Sequence, residues 1–120
     1  MNVRFEADGR QLVAFLSDDA SATEVAAPNG DAAGRVLMNA LDAAASSGYG
    51  ECFWPEQTGQ YWWMFNRYDD TSGPRVEVVV MWSTGAVTGW QHVFRSSDDL
   101  ADLSGRVASA LAALTTSALD

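Results

Sequence analysis

Cys52 and His92 are the two side chains in this sequence with reactive character near neutral pH. Together they would make the smallest nucleophilic site the chain can offer, the imidazole taking the proton of the thiol. No Asn or Asp stands at a spacing that would orient the ring, and both residues fall in segments that read as strands. A small buried thiol and a half-buried imidazole is the plainer expectation. Carboxylates are more plentiful. Asp18-Asp19, Glu56 and Asp69-Asp70 could supply oxygen ligands, yet no stretch has the alternating acids and central Gly of a calcium loop. Turn positions account for them. No cleft can be placed for a carboxylate pair acting on a glycosidic bond, and neither a phosphate loop nor a dinucleotide fingerprint occurs. The expectation is a non-enzymatic protein with no metal and no cofactor.

The chemistry present in quantity is apolar contact. Along residues 60–68, Tyr61, Trp63, Phe65 and Arg67 share one side of a strand, while Trp62, Met64, Asn66 and Tyr68 share the other. Both sides are rich in rings. The next strand places Val76, Val78, Val80 and Trp82 on one side and Arg75, Glu77, Val79 and Met81 on the other. Two helices cover one face of a sheet, and an antiparallel sheet normally shows water a polar second face. Two outcomes remain open. The sheet curls, with Gly85 and Gly89 marking the bend, so that its own aromatics fill a half-barrel. Otherwise the second face meets a foreign surface, with Trp62, Met64, Tyr68 and Trp54 as contacts and Arg67 and Arg75 at the rim, a composition typical of protein interfaces.

The elements that must hold these residues are legible from periodicity and turn chemistry. Val3 and Phe5 alternate with Arg4 and Glu6, Asp8-Gly9 reads as the centre of a type I′ turn, and Leu12 to Leu16 complete a β-hairpin. Residues 17–30, poor in packing side chains and ending in Pro28-Asn29-Gly30, read as a flexible loop. Asp31 caps a helix to Ser47 whose buried face is Ala33, Leu37, Ala40, Leu41 and Ala44, and Gly48 stops it. Its small side chains predict a helix lying tightly on strands. Residues 49–54, 60–68, 75–82 and 87–94 read as four strands joined by short turns, hence an antiparallel meander. Ser96-x-x-Asp99 then reads as a capping box opening a helix with Leu100, Leu103, Val107, Ala110, Leu111 and Leu114 on one face, frayed over 115–120. The expected fold is one α+β domain over 1–120, order ββαββββα, with a curved antiparallel sheet of about six strands and two helices on one face.

Composition narrows the partners. A formal net charge of −9 and a pI near 4.2 oppose nucleic-acid phosphates and anionic membrane surfaces, so neither partner is expected. The same charge favours solubility and attraction to a basic protein. One cysteine excludes an intrachain disulfide, and no run approaches the length of a membrane span, so the expected location is the cytoplasm. Every basic residue is Arg and Ile is absent, as GC-rich codons would give.

The stretch Gly48-Tyr49-Gly50-Glu51-Cys52-Phe53-Trp54-Pro55-Glu56 and the segment Thr88-Gly89-Trp90-Gln91-His92-Val93-Phe94 resemble segments of uncharacterised small proteins from actinobacteria. Over residues 36–114 the order of helix, meander and Leu-rich closing helix resembles small immunity proteins that protect bacteria from their own polymorphic toxins. That resemblance implies an acidic domain that blocks a toxin by binding. It carries over no binding residues, because no motif aligns. The leading expectation is therefore a protein-binding module. A small-ligand carrier with an aromatic cavity and a homodimer through the aromatic sheet face are the alternatives.

Overall fold

The computed structural model describes residues 2–17, 22–84 and 89–119, with side chains for 3–17, 22–84 and 89–114. Its class is α+β. The order is β1 (Asn2–Asp8), β2 (Gln11–Ser17), β3 (Ala22–Ala27), α1 (Gly30–Ser47), β4 (Tyr49–Glu56), β5 (Gly59–Asp70), β6 (Gly73–Ser83), β7 (Gln91–Asp99) and α2 (Leu100–Leu119). No described helix is long and apolar enough to cross a membrane.

The single sheet expected from the sequence is instead two antiparallel sheets, β1-β2-β3 and β4-β5-β6-β7. The first of them includes a strand not expected from the sequence, β3, which lies inside the stretch read as a loop. Its content is mostly Ala, Thr and Glu, yet Val25 and Ala27 are buried and its backbone pairs with β2 from Leu12↔Ala27 to Ser17↔Ala22. β2 is thereby enclosed between β1 and β3, and the first hairpin is part of a sheet of its own beside the meander. The hairpin loop also sits one residue later than read. Asp8 pairs with Gln11, and Gly9 is the loop residue with positive φ, so the turn follows the type II′ pattern.

Asn29, not Asp31, caps α1, its side chain accepting from the Ala32 N–H at 3.2 Å. Gly48 ends the helix at φ 94°, its N–H bonded to the Ala44 carbonyl at 2.9 Å. The expected capping box over Ser96 to Asp99 is the end of β7, and α2 starts at Leu100 with Asp99 accepting from the Asp102 N–H at 2.9 Å. The backbone of α2 stays helical to Leu119, beyond the point where fraying was expected.

Both helices lie on one face of the four-stranded sheet, α1 against β4 and β5 and α2 against β6 and β7, and α2 also packs on β1 and β2. The core is one cluster drawn from both sheets and both helices. Phe5 of β1 reaches Trp63 of β5 with ring centroids 5.9 Å apart, and Trp63 packs on Trp54 at 4.9 Å.

Candidate functional site: the outer face of the four-stranded sheet

Strand parity sorts the meander into a sealed side and an open side. Cys52, Trp54, Trp63, Phe65, Val76, Val78, Val80 and Phe94 are buried beneath the helices. Their neighbours project from the other face, where no described element lies over the strands. Register places them in rows. One runs Phe53, Trp62, Met81, His92; the next runs Glu51, Met64, Val79, Arg95; the third runs Tyr49, Asn66, Glu77, Ser97; and Tyr68 stands opposite Arg75.

The first row carries an aromatic cluster. Phe53 stacks on Trp62 with centroids 5.9 Å apart and planes 16° apart, and Trp90, just before β7, closes on Trp62 at 5.2 Å and on Phe53 at 6.2 Å. Glu51 ties the cluster to the second and third rows. One of its oxygens, Oε2, accepts both the Trp62 Nε1–H and the Tyr49 hydroxyl, each at 2.8 Å. A single carboxylate thus fixes an indole and a phenol while keeping a negative charge among rings. Desolvation, then the Glu51 hydrogen bond and charge, push the Tyr49 phenol up to about 12. Arg95 pairs with Glu77 at 2.9 Å on the same face. Tyr49, Phe53 and Tyr68 are exposed by 41%, 42% and 42%, and they are three of the four large apolar residues most open to solvent among those described.

Of the residues singled out from sequence, Trp62, Met64, Tyr68 and Arg75 lie together on this face. Trp54 does not. It is fully buried on the helix side, its Nε1 donating to the Ala33 carbonyl at 3.3 Å. Arg67 also faces the helix side at the sheet margin, where it donates to the Ala45 carbonyl and to Asp69. Both leave the candidate surface because parity, not ring content, decides which face a residue joins. Sequence reading missed Phe53, Tyr49, Glu51, Met81 and Trp90. The signal for three of them was present, since 49–54 alternates Tyr, Glu and Phe with Gly, Cys and Trp.

Cys52 and His92 form no pair. Cys52 is buried on the helix side, its thiol pushed up to about 12 by burial and then by the Glu51 charge. His92 is exposed on the outer face, and β5 and β6 lie between the two strands. Of the proposed bend, Gly89 has φ 113° while Gly85 lies outside the described residues. The described irregularity is a bulge between Val80 and Met81 against β7. Trp62 and Trp90 are half-buried through ring contacts along this surface, Trp82 is half-buried against Tyr61 on the helix side, and Trp63 is sealed. Comparison with known proteins finds no matching family model, no matching curated protein and no matching solved structure.

Proposed function

We propose that this protein is a non-enzymatic binding module whose outer sheet face docks a basic protein, in the manner of an immunity protein that blocks a toxin by occupying it. The observation that carries the reading is the Phe53-Trp62-Trp90 cluster, held by Glu51 on a face that no described element covers. Rigid aromatic side chains supply contact area at low entropic cost, and buried rings dominate the energetics of most interfaces. Glu51 among the rings suits an Arg or Lys of the partner, which gains a carboxylate and π faces at once. A net charge of −9 steers such a partner toward encounter.

The test begins with affinity capture on the full chain and on Trp62→Ala, followed by titration calorimetry with the captured protein. Trp62→Ala is expected to weaken binding at least ~30-fold, about 2 kcal/mol, with an unchanged far-UV spectrum. Raising salt should slow association more than it speeds dissociation. Undiminished binding, or collapse of the fold on this substitution, would remove the face from the interaction. A small molecule that co-purifies with the chain would support the carrier instead.

A further inference from the structure

β1 is an edge strand, and its free edge is the backbone of Val3, Phe5 and Ala7. The hairpin register fixes this. Asp8 pairs with Gln11 across the two-residue loop, so Asp8, Glu6 and Arg4 exchange hydrogen bonds with β2. The alternate residues turn their N–H and C=O groups the other way. Val3 displays that direction, because its carbonyl accepts from Arg106 Nη1 of α2 at 3.1 Å. Among the described residues, the outward groups of Phe5 and Ala7 meet no such partner.

Beyond this edge lies an open groove of about 830 Å³, bounded by Arg4 to Ala7 on one side and on the other by α2, whose small residues Ala101, Gly105, Ser109 and Ala113 flank the charged Asp102 and Arg106. A further strand hydrogen-bonded to β1 would run about 4.8 Å away, within that groove. Exposed edges are ordinarily blunted by charge or bulges, or else they are paired. The charges on β1 are arranged for pairing with a copy of itself. Set a second β1 antiparallel on a two-fold axis through Phe5, and Phe5 meets its counterpart, Val3 meets Ala7, and Arg4 meets Glu6 in both directions.

In that register the outward-facing backbone groups face one another, as the closely bonded pairs of an antiparallel ladder require, with the Val3 carbonyl, which already accepts from Arg106, taking the Ala7 N–H of the second copy on its other lone pair. Arg4 and Glu6 are exposed and already paired at 3.3 Å within one chain, so the two copies align four charges of alternating sign. Neighbouring registers fail. A two-residue slip one way brings Arg4 opposite Arg4, and a slip the other way brings Glu6 opposite Glu6. Val3 and Phe5 of the entering strand stay in their own core, so the groove receives its backbone, beside Asp102, Arg106 and the small side chains of α2.

We infer that the chain forms a two-fold homodimer through β1, giving a continuous antiparallel sheet that runs β3-β2-β1-β1-β2-β3 and leaves both aromatic faces uncovered. This inference uses a surface separate from the aromatic cluster and stands or falls independently of it. Sedimentation equilibrium of the full chain should give the dimer mass. Arg4→Glu and Glu6→Arg should each weaken the dimer about tenfold or more, and the double swap Arg4→Glu/Glu6→Arg should restore it, since opposite charges again face each other. Ala7→Pro removes an N–H that β2 does not use and should also give monomers. Arg4 also sits 4.6 Å from the Phe15 ring centroid, so circular dichroism must show each variant folded. A monomeric wild type at submillimolar concentration would overturn the inference. So would a dimer that ignores both folded charge inversions, or one abolished by Trp62→Ala alone.

Discussion

Glu51 is the residue on which most of the local electrostatics converge. Its carboxylate holds Trp62 and Tyr49 through one oxygen, and its charge opposes ionisation of both Tyr49 and Cys52. Burial is the larger cause at each site, and both groups are pushed up to about 12 from ordinary values of 10.0 and 9.0. The unfolded chain therefore releases these protons at lower pH than the folded chain does, so unfolding is favoured as pH rises. Stability from Cys52 is fully present below pH 9 and is lost as pH climbs from 9 towards 12, with Tyr49 adding its share from pH 10. Urea unfolding at several pH values above 8 should show a decline of at most about 1.4 kcal/mol per pH unit for the thiol. Cys52→Ala should be visibly flatter between pH 9 and 10, before the phenol contributes. Equal slopes in the two proteins would mean that the thiol ionises as readily folded as unfolded. Consistently, iodoacetamide at pH 8 should leave native Cys52 unmodified and label it once the chain is unfolded.

At the scale of elements, the tightest constraint is where α1 crosses β4. A Cβ on Gly50 would lie 1.8 Å from the Ala40 carbonyl oxygen, and a backbone atom cannot swing aside. Gly50→Ala should therefore displace α1 and cost roughly 2–4 kcal/mol in denaturant unfolding, more than a surface strand substitution would. A near-neutral result would mean that the helix sits further from the sheet. The tight docking was readable from the alanine stripe of α1, but the glycine beneath it was not, because a period-two strand says nothing of what crosses it. Both long helices and the first three meander strands were legible for a like reason, since each repeats its own period over many residues, whereas the fourth, expected at 87–94, runs Gln91–Asp99. β3 was not. Its six residues carry one Val among Ala, Thr and Glu, so its pairing comes from β2 and from the ladder, neither of which leaves a local mark. The helix starts slipped because Asn29 and Asp31, and likewise Ser96 and Asp99, are all competent caps, and tertiary packing chose between them. The candidate surface was half legible. β5 displayed its two faces in sequence, whereas Trp54 was assigned by ring content to a surface that its parity denies it.

For the whole molecule, the question is whether two sheets make one cooperative unit. α2 touches β1 and β2 of one sheet and β6 and β7 of the other, and its Leu103 and Val107 are fully buried in the core shared by both. Removing side chains there loosens the joint as well as the helix. Leu103→Ala and Val107→Ala should each cost roughly 1–4 kcal/mol, through lost burial and the cavity left behind. The five tryptophans make the joint observable, because Trp54, Trp62, Trp63, Trp82 and Trp90 all belong to the meander and none to β1, β2 or β3. Tryptophan fluorescence therefore reports one sheet, while far-UV circular dichroism reports every element. With a shared core the two probes should give a single midpoint, and both should move together in Leu103→Ala at a fixed protein concentration. If fluorescence held its midpoint while the dichroism split into two steps, β1–β3 would unfold separately. The Phe5–Trp63 contact would then be too weak to couple the two sheets.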